Sequence, residues 1–241
     1  MKTLSNMAIL ASDTTRTKAY LQVMAANNML PSLCLLYTDD FSKLEADDAN
    51  YEDSGTAVEY FDGDIPILSL VKKLDVDYRV IDNKDVNSEE MILAISELPH
   101  EYLIYSGYGG YLLKSPLFKL GKKYLHVHAG IVPAYRGSTT AYYSIIDRGV
   151  LGATAFFLNE KIDEGDVICQ SEYEMPKTKV DIDYIYEPYT RACELVHALN
   201  QYNENTGFNV MPQNDLHADT YYIIHPVLKH LAIRRVEKNY K

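Results

Sequence analysis

The chain has 241 residues, 47% of them hydrophobic, enough for one large domain or one domain with a small appendage. It has no 18-residue apolar run, which argues against a transmembrane helix, and its net charge of −11 argues against a nucleic-acid partner, whose phosphates need a positive surface. Cys34, Cys169 and Cys193 are widely spaced and read as reduced thiols, and Met1-Lys2-Thr3-Leu4-Ser5-Asn6 lacks a signal peptide's apolar stretch, so the cytoplasm is expected.

In chain order, Met7-Ala8-Ile9-Leu10-Ala11 reads as a short buried strand, and Ser12-Asp13-Thr14-Thr15 as a turn and helix cap. A helix follows to about Asn28, then a strand at Leu33-Cys34-Leu35-Leu36-Tyr37. This opens a βαβ unit without the Gly-x-Gly-x-x-Gly of dinucleotide sites. The Ser12–Thr15 loop is either a routine cap or an anion site at a helix N-terminus. Residues 39–64 hold ten acids against Lys43 alone, nine of the eleven net negative charges, and read as a solvated insertion. Asp64 is placed to cap a helix starting at Ile65-Pro66, and Tyr78–Ile81 reads as a third strand. Ser88 caps a helix through Leu98, and Tyr102–Tyr105 is a strand ending in Ser106-Gly107-Tyr108-Gly109-Gly110-Tyr111-Leu112-Leu113.

Leu125-His126-Val127-His128 reads as the end of the next strand. Side chains alternate faces along a strand, so His126 and His128 point the same way. Pro133 and Gly137 then force a turn, which suggests a site at the carboxyl edge of an α/β sheet. Beyond lie a helix from Ser138 to Asp147, strands at Gly152–Leu158 and Val167–Met175, and a turn at Asp163-Glu164-Gly165-Asp166 between those strands. A long helix from Asp181 to Tyr202, kinked at Pro188, has Ile182, Ile185, Tyr189, Cys193 and Val196 on its apolar side. Residues 219–236 form a last helix and a packing arm. Residues 1–205 are thus expected to form a domain of Rossmann-like α/β type, an open, mostly parallel sheet with flanking helices, and 206–241 a C-terminal arm and helix.

The run from His126 to Gly137, with Asp163-Glu164-Gly165-Asp166-Val167-Ile168 starting 26 residues after it, resembles the two signatures of the folate-dependent formyltransferases. That family has Asn-x-His, a small residue, Leu-Pro and Arg-Gly, then Asp-x-Gly-polar-Ile. The likeness covers roughly residues 78–175, with a weaker echo at Tyr222–His230. It implies a formyl group taken from 10-formyltetrahydrofolate, without a metal, and given to an amine through a tetrahedral oxyanion. His128 then matches the family histidine that moves protons, and Asp163 the carboxylate that orients it. His126 stands where the family has an asparagine, and an imidazole N–H can also donate to an oxyanion. Gly109, Gly110, Tyr111 and Leu112 correspond to the loop offered to the pterin, with Asn159 and Asp163 completing the folate slot. Ser12, Asp13 and Arg136 are the candidate acceptor contacts, although an arginine before a glycine in a loop also serves to bridge backbone carbonyls.

Among acceptors, the compact length, acidic surface and C-terminal echo favour an amino sugar on a nucleotide carrier, in a possible homodimer. The transfer-RNA enzymes of the family carry a longer, basic C-terminal domain, for which this chain has no room. Three rivals stay open: a formyltetrahydrofolate deformylase that passes formyl to water, a metal-dependent hydrolase built on His126-x-His128 with Asp163, and a folate- or nucleotide-sugar-binding protein whose catalysis failed when asparagine became His126.

Overall fold

A computed structural model describes residues 2–51, 59–214 and 218–240. The chain divides into two compact units, Met1–Leu125 and His126–Lys241. Within the first, the elements are β1 (Lys2–Ala11), α1 (Thr15–Ala26), β2 (Met29–Thr38), α2 (Phe41–Asn50), α3 (Ile67–Lys73), β3 (Asp77–Asp82), α4 (Glu89–Ser96), β4 (Tyr102–Ser106) and α5 (Ser115–Phe118). β5 (Lys123–His128) carries the chain out of this unit, since its last three residues open the second. The strand order is β3-β2-β1-β4-β5, with parallel pairing throughout. Met7 to Ala11 are wholly buried in β1, because a parallel strand in the middle of such a sheet has no solvent face.

The caps decide where the helices start. Thr14 accepts from the Thr17 N–H, and Ser88 accepts from the Met91 N–H, so α1 and α4 begin where the sequence places them. α1 stops at Ala26 rather than Asn28, because Asn28 takes a left-handed φ of 60°, a conformation that asparagine tolerates. Asp64 does not cap α3. Asp62 Oδ1 accepts from the Asp64 and Ile65 N–H groups instead, and Pro66, itself without a cap hydrogen bond, precedes the helix.

The acidic segment is not uniformly solvated. Asp40 caps α2 through the Lys43 N–H, and Leu44 of α2 is buried. Asp48 pairs with Lys72 and accepts from Ser69 Oγ at 2.7 Å, both on α3, and these donors hold its carboxyl below the usual carboxylate range. Lys84 meets Asp39 at 2.9 Å. The rest of the expected insertion, residues 52–58, lies outside the described residues.

The second unit contains β6 (Arg136–Gly137), α6 (Thr140–Arg148), β7 (Leu151–Phe157), β8 (Val167–Tyr173), a π-helical turn at Ile182–Tyr186, α7 (Glu187–Asn205), β9 (Thr220–Tyr221) and α8 (Pro226–Glu237). After β5 the sheet order continues with β7 and β8, of which β8 is antiparallel. α7 packs on β7 and β8. This is the open, mostly parallel α/β architecture with flanking helices that the strand–helix alternation predicts.

The expected single helix over 181–202 is two elements. Pro188 has no N–H and would clash inside a helix, but in the first turn of α7 both problems vanish, so a π turn precedes it and no kink is needed. The buried face of α7 runs through Arg191, Leu195, Ala198 and Leu199; Tyr189 and Cys193 sit at its half-buried edge. The C-terminal residues belong to this unit: α8 packs on α6, and β9 pairs in parallel with β6.

That short pairing makes Gly137 obligatory. Its φ is +101°, and a Cβ there would lie 2.1 Å from the Tyr221 carbonyl oxygen. Gly137→Ala is expected to cost about 1 to 3 kcal/mol, seen as a lower urea midpoint with an unchanged slope. A wild-type midpoint would show that β6 and β9 part without cost.

Candidate active site

The end of β5 supplies both histidines. His128 is 6% exposed, and its Nε2 lies 2.7 Å from the Tyr135 carbonyl and 3.1 Å from Thr140 Oγ1. Thr140 gives its own hydroxyl proton to the Ala129 carbonyl at 2.6 Å, so toward His128 its oxygen only accepts. Both partners of Nε2 are acceptors, so Nε2 carries a proton. Nδ1 faces Asp163 Oδ2 at 3.6 Å. The imidazole is held tightly: a Cβ on Gly130 would stand 3.0 Å from Nε2 and 2.8 Å from the Tyr135 oxygen.

Asp163 reaches this position from a strained turn. Its φ is 53°, a left-handed value uncommon outside glycine but one that aspartate adopts more readily than most residues. Its Oδ2 also accepts from the Gly137 N–H at 2.8 Å. Gly165 closes the turn against β7, where a Cβ would overlap the Phe157 carbonyl at 1.6 Å. Gln213 fastens it from outside, donating Nε2 to the carbonyls of Asp163 (2.8 Å) and Gly165 (2.7 Å). Arg136 in turn donates Nε and Nη2 to Gln213 Oε1, at 3.1 and 2.7 Å, and its Nη1 lies 3.8 Å from Glu164. At 5% exposure Arg136 thus acts as a brace for the Asp163 turn, close to the bridging alternative of its two readings.

His126 is half-buried, with its ring edge-on to Phe156 at 5.8 Å. Its Nε2 lies 3.5 Å from Nη2 of Arg191. A cavity of about 290 Å³ adjoins these groups, lined among others by His128, Gly137, Thr140, Tyr142, Asp183 and Arg191. Tyr142 donates to Asp183 at 2.5 Å, and Lys229 pairs with the same carboxylate. Burial and then Asp183 push the Tyr142 hydroxyl's pKa far up, so it remains a donor.

A family model described as formyl transferase matches residues 6–189, more than half of the sequence. The chain belongs to the formyl transferase family. A methionyl-tRNA formyltransferase of Finegoldia magna is 30% identical over 122 residues, 49% of this chain and 38% of that protein. A formyltetrahydrofolate deformylase of Escherichia coli is 28% identical over 132 residues, 52% of this chain and 45% of that protein. The chain thus spans less than half the length of these curated relatives. An N-formyltransferase of Helicobacter canadensis, solved with folinic acid and dTDP-3-aminofucose, shares the fold with a TM-score of 0.60 at 15% identity, over 97% of this chain and 81% of that one.

The other candidate residues lie as follows. In the first unit, Ser12 is fully buried, and its N–H and hydroxyl both donate to the Ser106 carbonyl, at 3.0 and 3.3 Å. Asp13 sits 3.4 Å from Lys18 Nζ. The glycine-rich loop after β4 is tethered where Tyr105 donates to the Tyr111 carbonyl (3.0 Å) and Asn87 to the Leu112 carbonyl (3.0 Å). Gly109 and Gly110 have open space where a side chain would stand, and Tyr111 and Leu112 are exposed. In the second unit, Asn159 is exposed and its Oδ1 accepts from the Lys161 N–H at 2.9 Å. Among the described residues no group of three or more His, Cys, Asp or Glu is arranged to hold a metal ion.

Sequence reasoning missed Gln213 and Arg191. Gln213 lies 50 residues from Asp163 in a run without periodicity or motif, and nothing in the sequence marks it. Arg191 carried a usable signal: an arginine one turn after Glu187, within an apolar helix, has to bury its charge against something.

Asp163 has a structural duty separable from any chemistry. Asp163→Ala, which strips the Gly137 N–H of its acceptor, should cost about 1 to 3 kcal/mol, whereas Asp163→Asn keeps an acceptor oxygen and should cost clearly less. Urea denaturation of the two variants checks this; equal losses would place the cost in the left-handed turn itself.

Proposed function

We propose that this chain is an N-formyltransferase that takes formyl from 10-formyltetrahydrofolate and gives it to the amino group of a nucleotide-linked amino sugar. The observation that carries the reading is the pairing of His128 with Asp163: a buried imidazole whose Nε2–H is tied to backbone and whose Nδ1 is turned to a carboxylate. When bound, the folate supplies the formyl carbon. The protein must then take a proton from the attacking amine, stabilise charge growing on the formyl oxygen, and return a proton to the folate nitrogen as its bond to the formyl carbon breaks. His128 Nδ1 is the proton acceptor, and Asp163 Oδ2 lies where it orients that nitrogen once it is protonated. His126 contributes an N–H toward the developing charge, the task that the family's asparagine amide performs by resemblance. In the first unit, Gly109, Gly110, Tyr111 and Leu112 are the residues that receive the pterin in this reading.

An amino-sugar acceptor is supported by the fold relative solved with dTDP-3-aminofucose. A transfer RNA is disfavoured by the net charge of −11, which repels a phosphate backbone. The deformylase reading has its own support in the Escherichia coli relative. We place the protein in the cytoplasm, consistent with three free cysteines and with the absence, among the described residues, of any helix long and apolar enough to cross a membrane.

Consumption of 10-formyltetrahydrofolate should require an amine, and a panel of nucleotide-linked amino sugars should supply the active one. Formyl loss at the same rate with and without amine would assign the chain to the deformylases instead. His128→Ala and Asp163→Asn should each lower turnover by ~10²-fold or more while keeping a folded circular-dichroism spectrum. A near-normal rate in either variant removes that residue from the chemistry.

A further inference from the structure

Arg191 lies on the buried face of α7 and is fixed at two points. Its Nε donates to the Val127 carbonyl at 2.8 Å, and its Nη1 to Glu187 Oε1 at 2.9 Å. Its other terminal nitrogen, Nη2, is the one 3.5 Å from Nε2 of His126. A guanidinium has five N–H donors, no acceptor, and keeps its charge at any working pH. Across this contact arginine is therefore the donor, and His126 Nε2 must present a lone pair. A neutral imidazole carries one N–H, so in His126 the proton sits on Nδ1. Among its neighbours, Phe156 of β7 is uncharged, Glu187 is turned to Arg191, and His128 is held by Tyr135 and Thr140.

We propose that Arg191 is a positioning residue that fixes His126 as the Nδ1–H tautomer. An asparagine amide at this place in β5 would be a neutral donor with no tautomer to choose. An imidazole has two tautomers, and only one keeps its N–H on a given nitrogen. Arg191 removes the choice, which makes histidine workable where the family has asparagine. The use of that N–H on the formyl oxygen rests on the formyl-transfer reading; the tautomer does not.

The test has one arm that needs no turnover. In protein labelled with ¹⁵N-histidine, long-range proton–nitrogen spectra at about pH 8, where an ordinary imidazole is neutral, report which ring nitrogen bears the proton. His126, assigned by its loss in His126→Asn, should show a protonated Nδ1 and a bare Nε2, and Arg191→Met should blur that into a mixture. A protonated Nε2 in the wild type, or an unchanged spectrum in Arg191→Met, overturns the proposal.

The second arm is kinetic. Arg191→Met should lower kcat by ~10-fold or more, toward the cost of one lost oxyanion donor, with KM for the formyl donor little changed. In a His126→Asn background the same substitution should cost no more than about 2-fold, because the amide has no tautomer to lose. Arg191→Lys, whose ammonium also only donates, should recover part of the loss. Equal losses in both backgrounds would mean that Arg191 acts through contacts other than His126, and would overturn the assignment. If the wild type transfers no formyl group at all, the functional reading fails and the spectra alone decide the tautomer.

Discussion

The Nε2–H of His128, committed to the Tyr135 carbonyl 2.7 Å away, ties the end of β5 to the far side of the loop that follows it. Much of the candidate site depends on that single donation. It decides that Nε2 of His128 carries a proton. It brings the loop back over the strand, so that Arg136 and Gly137 pair with β9 and the Gly137 N–H reaches Asp163. It also leaves no room at Gly130, where even a methyl group would press on both imidazole and carbonyl. The backbone group that fixes the histidine also fixes the carboxylate facing it, through one short stretch of chain.

How much of this was legible in the sequence depended on the range of the interaction. Local signals read well: the caps at Thr14 and Ser88, the uninterrupted apolar run of β1, and the alternation that puts His126 and His128 on one face all depend on residues within a turn of each other. The helix over 181–202 was misread because a proline in a helical pattern suggests a kink, whereas Pro188 is instead in the first turn of α7, where its missing N–H is not needed. Asp64 is not a cap because the helix begins at Ile67, two residues later than Ile65-Pro66 suggests, and the turn before it is closed by Asp62 Oδ1, which accepts from the Asp64 and Ile65 N–H groups.

At the site, legibility ended where contacts became non-local. His128, Asp163 and Gly137 were named from two motifs, but the brace of Arg136 and Gln213 spans 77 residues and left no pattern. The acidic segment shows the same limit. Its charge reads as solvation, yet Asp48 is drawn to Lys72 and Ser69, and Leu44 turns inward. A charge run is solvated only where no complementary surface lies beside it, and the sequence does not say what lies beside it.

The two histidines of β5 have the same face and nearly the same chemistry, yet opposite surroundings. His128 Nε2 meets two acceptors, Tyr135 O and Thr140 Oγ1, and must carry a proton there. His126 Nε2 meets a donor, Arg191, and must not. In the proposed reading, opposite tautomers two residues apart give the strand one nitrogen that takes a proton and one N–H that stabilises negative charge. Formyl transfer to an amine needs both at once, from groups that do not exchange roles during turnover. Water alone would let each imidazole sample both tautomers. Here a carbonyl and a hydroxyl oxygen on one side and a guanidinium on the other make the assignment, and both are held by contacts outside the histidines themselves: Thr140 by the Ala129 carbonyl, and Arg191 by Val127 and Glu187. The division of labour therefore belongs to the packing around β5 rather than to either ring.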